Sequence, residues 1–149
     1  MEEDEYKSTY RELASVRCVF EKALVNHQAD HQVKCRLSRH FCLADREGYS
    51  CEDAAASLNC SKLLEKLREK SIFVLKLRDI DGPLPHNMEI RVQVGGARGL
   101  AKLINVDKID NIHRVLDEVI NKFGSLDSLP YSEIIQSIEQ FQGRRRRQR

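Results

Sequence analysis

The sequence has no tryptophan, and residues 61–149 contain no cysteine. Aromatic residues make up only 6% of the 149-residue chain, so aliphatic side chains must form most of the core. No apolar run approaches the roughly 20 residues that a membrane-spanning helix needs. The acidic start, Met1–Glu5, is unlike a signal or transit peptide. These absences predict a cytoplasmic protein that does not insert into a membrane.

Charge is distributed unevenly along the chain. The net charge is +2, but residues 1–12 hold five acidic and two basic side chains, whereas the tail Arg144–Arg149 holds five arginines. Length and composition predict one domain over residues 1–142, followed by a disordered basic tail over residues 143–149. Such a tail suits the phosphates of a nucleic acid or an acidic protein surface.

The hydrophobic pattern predicts mostly helices. The stretch from Glu5 to Arg39 has neither glycine nor proline, which favours one long helix or two abutting ones. Ser50 and Asp53 resemble a capping box that opens a further helix. That helix would present one apolar face formed by Cys60, Leu63, Leu64 and Leu67.

Alternation replaces the helical period further along the chain. Residues 72–77 and 88–94 are predicted strands, joined through a turn-rich segment and closed by Gly95–Gly96. Helices are predicted over 97–103, 109–123 and 132–141, with Asp107 and Gly124 capping the second of these. The predicted fold class is α+β: a mostly helical single domain with one small antiparallel β-hairpin. Its parts are a helical, cysteine-bearing half (1–70), the hairpin (71–96) and C-terminal helices (97–142).

The most informative feature is a group of potential metal ligands in the N-terminal part of the chain. A buried thiol that can ionise usually has a use, and a metal is a common one. An odd number of cysteines in a reducing compartment argues against a disulfide framework. The candidate ligands are Cys18, Cys35, Cys42, Cys51 and Cys60, together with His27 and His31.

A single straight helix cannot gather these ligands on one ion. His27 and Cys42 are 15 residues apart, which spans about 22 Å in a helix, whereas metal–ligand bonds are near 2.0–2.3 Å. Cys51 and Cys60 are half a turn out of phase on a continuous helix. A common site therefore requires a bend or break between these segments.

The spacing also bears on the kind of metal. Structural zinc sites usually contain C-x₂₋₄-C pairs, and no such pair occurs here. Several cysteines with few suitably placed histidines favour an iron–sulfur cluster over zinc. Inert thiols that pack as small hydrophobic residues are the alternative without a metal.

Several blocks resemble a family of small bacterial proteins without an assigned activity. The blocks are residues 18–24, 43–48, 60–68, 73–77, 82–86 and 128–134, with Gly95–Gly96. In that family the cysteines matching Cys18, Cys35, Cys51 and Cys60 recur, which implies that these four are the ligand set and that Cys42 is spare. The family also tends to have a cysteine where this chain has Val94.

No complete catalytic motif is present, so an enzyme is not expected. The residues 95–99 match neither G-x-G-x-x-G nor a Walker motif, and no G-x-S-x-G nucleophile occurs. The working hypothesis is a small protein with an iron–sulfur cluster, expected to be [4Fe–4S], that acts as an electron carrier or as an accessory subunit with a protein partner in a redox complex. Alternatives are a zinc-stabilised or metal-free module that binds RNA or an acidic protein, and an oxidant sensor using Cys42 or Cys51.

Overall fold

A computed structural model describes residues 17–25, 33–44, 46–75 and 84–141. Within these ranges the chain forms five α-helices, one short 3₁₀ helix and one two-stranded antiparallel hairpin. This confirms the predicted fold class. In chain order the elements are α1 (Glu21–Val25), β1 (Ser38–Leu43), β2 (Arg46–Cys51), α2 (Ala54–Ser71), α3 (His86–Leu103), α4 (Ile112–Phe123), the 3₁₀ helix (Leu126–Ser128) and α5 (Tyr131–Gln140).

Helix α2 follows directly from its sequence. Asp53 caps it, because the carboxylate oxygen Oδ1 accepts the N–H groups of Ala55 and Ala56 at 3.0 and 3.1 Å. The predicted apolar face is confirmed, since its four members repeat at i, i+3, i+4 and i+7 and are all buried: Cys60, Leu63, Leu64 and Leu67. Ser50 is not part of the cap and lies in β2.

Helices α3 and α5 pack against each other most closely at two glycines. A Cβ atom added at Gly95 would lie 2.7 Å from the Cα atom of Ile138, and one added at Gly99 would lie 3.0 Å from the Cα atom of Ile134. The order of these contacts shows that the two helices run antiparallel. The missing side chains let the backbones approach, so the buried faces of both helices meet.

The predicted hairpin over residues 71–96 is wrong. Residues 84–96 belong to helix α3 and its N-terminal approach, and residues 72–75 form a turn after α2. The alternation of apolar and polar residues wrongly predicted a strand because nearly every side of α3 is buried. Its polar Glu89 and Gln93 lie inside the protein, 6% and 3% exposed, and so do not mark a solvent face.

The hairpin lies instead in the N-terminal part, between the second and fourth cysteines. Strands β1 and β2 pair from Ser38 opposite Cys51 to the turn at Ala44, whose φ is 54°. Of the predicted long helix up to Arg39, the described residues form a helix only over Glu21–Val25, and residues 33–39 are not helical. Absence of glycine and proline permits a helix, but here the chain pairs with β2 and with Ile109 instead.

The C-terminal helices agree with the sequence apart from their first residues. Helix α4 begins at Ile112 with Asn111 as its N-cap, not at Asp107. Gly124 ends it with a φ of 95°, as predicted. The buried apolar side chains of the described ranges, from Phe20 to Phe141, form one core. Across these ranges no helix combines the length and apolar character of a bilayer-spanning segment.

Candidate metal centre

Four of the five cysteines line one small cavity: Cys18, Cys35, Cys51 and Cys60. They come from four different pieces of chain, namely the segment before α1, the segment before β1, the last residue of β2 and the second turn of α2. The set is the same as the one implied by the family resemblance. The break that a common site requires is supplied by the hairpin.

Cys18 is brought to the end of β2 by backbone pairing. Its N–H donates to the carbonyl of Tyr49 at 2.9 Å, and Arg17 forms an isolated antiparallel bridge with Ser50. The segment therefore runs alongside β2 for two residues. Cys51 follows Ser50 in β2 and lies two residues after Tyr49, the partner of Cys18. Because alternate residues of a strand point to the same face, the thiols of Cys18 and Cys51 lie on the same side of the hairpin.

Cys35 is held against the start of α4. The N–H of Lys34 donates to the carbonyl of Ile109 at 2.9 Å, and the N–H of Ile112 donates back to the carbonyl of Lys34 at 2.8 Å. The N–H of Arg36 donates to Asn111 Oδ1 at 3.3 Å. These bonds fix residues 34–36 against the first turn of α4, which also borders the cavity.

Two helix N-termini face the cavity. Ala56 and Ser57 from the first turn of α2 line it, as do Ile112 and His113 from the first turn of α4. Several first-turn N–H groups are bonded within the protein: Asp53 Oδ1 accepts those of Ala55 and Ala56, and the carbonyl of Lys34 accepts that of Ile112. Each helix dipole places a partial positive charge at its N-terminus, and the carboxylate of Asp53 offsets that of α2.

Burial keeps two of the thiols neutral. Desolvation raises the pKa of Cys18 to about 12, and a hydrogen bond from the Phe20 backbone offsets only part of that rise. The pKa of Cys60 is likewise raised to about 12, mainly by desolvation and in addition by the negative charges of the other three thiolates and of Asp117. Four thiolates cannot coexist here unless a cation balances them.

The cavity is apolar and nearly closed. Counted with its opening, the cavity has an empty volume of about 290 Å³. The volume open to the centre of a water-sized sphere is only about 10 Å³, which is enough for about one water molecule. Among the described residues, no three His, Cys, Asp or Glu side chains are arranged to hold a single metal ion. A four-iron cluster does not require such a group, because each of its four cysteines binds a different iron.

The remaining candidate ligands do not join the cavity or cannot be placed. Cys42 is exposed on β1, and its Sγ lies 3.7 Å from the carbonyl of Ala44. His27 and His31 lie outside the described residues. The prediction that Gly95–Gly96 closes a strand is wrong, because both glycines are inside α3 and face α5 and α2.

His113 is a cavity residue that sequence reasoning missed. Its Nε2 lies 3.6 Å from Asp117 Oδ2, one turn along α4, and its side chain is 24% exposed. Nothing in the sequence signals its proximity to the cysteines, since it follows Cys60 by 53 residues. Only the pairing of residues 33–34 with Ile109 and Ile112 brings it there.

Comparisons with known proteins add no further assignment to this geometry. No protein-family model, no curated protein and no solved structure matches the chain.

Proposed function

We propose that the protein binds one iron–sulfur cluster, of the [4Fe–4S] type, through Cys18, Cys35, Cys51 and Cys60. The observation that supports this proposal is the convergence of four thiols from four chain segments on one apolar cavity. The protein then acts in the cytoplasm as an electron carrier, or as an accessory subunit with a protein partner in a redox complex.

The chemistry of the lining suits this group. Apolar walls shield a cluster from water, and four cysteine thiolates are its usual ligands. The thiols must move apart to admit a cluster, because the free space between them holds about one water molecule. Binding must release the protons of Cys18 and Cys60, because burial keeps both thiols protonated otherwise.

The chain's own residues hold the group in defined ways. Cys18 and Cys51 are fixed by the hairpin, Cys35 by the start of α4, and Cys60 by the capped helix α2. When bound, the cluster supplies one-electron transfer. The proposal assigns no catalytic residue to the chain itself.

Anaerobic purification followed by iron, sulfide and zinc assays tests the proposal. We expect about four iron and four sulfide per chain, and a brown protein whose visible absorption is bleached by dithionite. Stoichiometric zinc without sulfide would support the zinc-stabilised alternative instead. A colourless protein without iron after reconstitution would refute the cluster.

The fifth cysteine provides a matched control. We expect that a serine substitution at any of the four cavity cysteines lowers the iron content after reconstitution at least tenfold. Cys42→Ser should retain the full content, because Cys42 is exposed and lies outside the cavity. Equal iron loss in Cys42→Ser would show that the bound iron does not report on this site.

A further inference from the structure

A second, larger cavity adjoins the four-cysteine site. It is an open cleft of about 660 Å³, within the size range of small-molecule sites. Cys18 lines both the cleft and the four-cysteine cavity, so this residue separates the two. The remaining residues that line the cleft are Arg17, Val19, Glu21, Lys22, Arg68, Glu69, Ile72, Leu84, Glu89 and Gln93.

The floor of the cleft is a buried polar network. Arg68 Nε donates to both carboxylate oxygens of Glu89 at 3.1 and 3.0 Å. Gln93 Nε2 donates to Glu89 at 2.8 Å, while Gln93 Oε1 accepts the N–H of Ala23 at 3.0 Å. Glu89 is buried, whereas Arg68 is partly exposed to the cleft, and such a pair adds little stability compared with apolar packing. A carboxylate held by this network on the floor of a cleft of this size points to binding.

The floor carries an excess of one positive charge. Lys22 acts on Glu89 together with Arg68, so two cations face one carboxylate. Burial pushes the pKa of Glu89 upward, but the hydrogen bonds from Arg68 and Gln93 and these positive charges outweigh it and hold that pKa below its usual value.

Over the whole lining, three cations face three carboxylates, so the positive excess is confined to the group formed by Lys22, Arg68 and Glu89. Glu21 is paired with Arg17, and its Oε1 also accepts the N–H of Tyr49 at 3.0 Å. Glu69 is exposed at the rim. The hydrogen bonds of Arg68 use Nε and Nη2, so among the described residues its Nη1 has no acceptor. Arg68 Nη1 and Lys22 Nζ are therefore donors available to an anion.

The wall of the cleft is apolar. Val19, Ile72 and Leu84 line it, with Leu84 only 9% exposed. We propose that the cleft binds a small molecule with one carboxylate and an apolar body. The carboxylate pairs with Lys22 and Arg68, and the apolar body lies against these three side chains next to Cys18.

This inference does not require the proposed cluster. If the cluster is present, the ligand lies beside one of its cysteines and can influence it. If iron is absent, the cleft and its charges remain. Iron content is therefore measured on the same preparation, so that failure of one proposal can be told from failure of the other.

The test uses two probes of nearly the same shape, of which one is an anion and the other is neutral. 1-Naphthoate carries the carboxylate, and 1-naphthalenemethanol replaces it with a neutral hydroxymethyl group. By calorimetry we expect one 1-naphthoate per chain, bound about tenfold more tightly than the alcohol. Equal binding of the two probes, or no binding of either at millimolar concentration, would overturn the proposal.

Two lysine variants locate the binding. Lys22→Gln should weaken the binding of 1-naphthoate about tenfold and leave the binding of the alcohol unchanged. The substitution removes only the positive charge that pairs with the carboxylate. Lys102→Gln is the control, because Lys102 lies 13 residues along α3 from Glu89, which is about 20 Å. An equal effect of both variants would place the probe elsewhere.

A chemical readout reports on Cys18 directly. In metal-free protein, bound 1-naphthoate should slow the alkylation of Cys18 by iodoacetamide and leave that of Cys42 unchanged, as followed by peptide mass spectrometry. Equal protection of both cysteines, or of neither, would contradict a ligand seated beside Cys18.

Discussion

The helix pair α3–α5 and the four-cysteine cavity are held together in different ways. The pair relies on long complementary faces that meet at Gly95 and Gly99, with no space left between the backbones. The cavity is built from four pieces of chain that are fixed by different means: backbone hydrogen bonds hold Cys18 and the Cys35 segment, strand pairing holds Cys51, and the capped helix α2 holds Cys60. The first region therefore packs without space between its backbones, while the second leaves a small apolar space between four thiols.

The largest effect is expected where the helix pair is tightest. Gly95→Ala should destabilise the protein by about 3 kcal/mol in urea unfolding, because the new methyl group meets the backbone of Ile138. Gly96→Ala is the matched control: its methyl group meets only the terminal Cδ1 of Leu67, which can move. Similar losses for the two variants would mean that the close approach of α3 and α5 is not what stabilises the pair.

A smaller effect is expected at the network that joins the two regions. Glu89→Gln should cost about 2 kcal/mol, because Arg68 loses its charged partner and the amide offers one acceptor oxygen where the carboxylate offers two to Arg68 and Gln93. Glu118→Gln, at an exposed pair with Arg114, should cost less than about 0.5 kcal/mol.

The same network has a defined pH dependence. The folded-state pKa of Glu89 is lowered. Its contribution to the free energy of unfolding is therefore present above the unfolded pKa, near 4.5, and is lost as the pH falls through the folded pKa. The acid limb of the stability curve should therefore flatten in Glu89→Gln. An unchanged limb would show that Glu89 does not titrate as its partners require.

The smallest effect is expected at the cavity, in alkaline solution. Cys18 and Cys60 have pKa values raised from 9.0 to about 12. Their contribution to the free energy of unfolding is therefore complete below pH 9 and is lost as the pH rises towards 12. The metal-free protein should lose about 1 kcal/mol per thiol between pH 8 and pH 10. Cys60→Ala should reduce this loss and Cys42→Ala should not, as measured by urea unfolding at each pH.

The sequence predicted the fold class and, through the family resemblance, the four cysteines that line one cavity, but it could not reveal the position of the hairpin. Helix α2 was predictable because Asp53 and the spacing of Cys60, Leu63, Leu64 and Leu67 are local signals. Helix α3 was not, because burial on nearly every side removes the 3.6-residue period and leaves Glu89 and Gln93 looking like the solvent face of a strand. Residues 33–39 were predicted to be helical because no local signal shows their pairing, which is with Ile109, far along the chain, and with β2, across the turn at Ala44.

The convergence of the thiols was likewise beyond local reasoning. Helical arithmetic showed correctly that a continuous helix could not bring the cysteines together, but it could not show what replaces that helix. Long-range pairing decides this, as does the placement of His113, which no spacing pattern announces. The cleft next to Cys18 combines residues from α1, α2 and α3 and has no signature in the sequence.

The attachment of the Cys35 segment to Ile109 and Ile112 has a consequence for biogenesis. These two residues are translated more than 70 codons after Cys35, so a nascent chain cannot enclose its thiols until α4 has left the ribosome. Contacts between such distant residues also form slowly. Until then the thiol of Cys35 cannot join Cys18, Cys51 and Cys60 at the cavity and is open to oxidation.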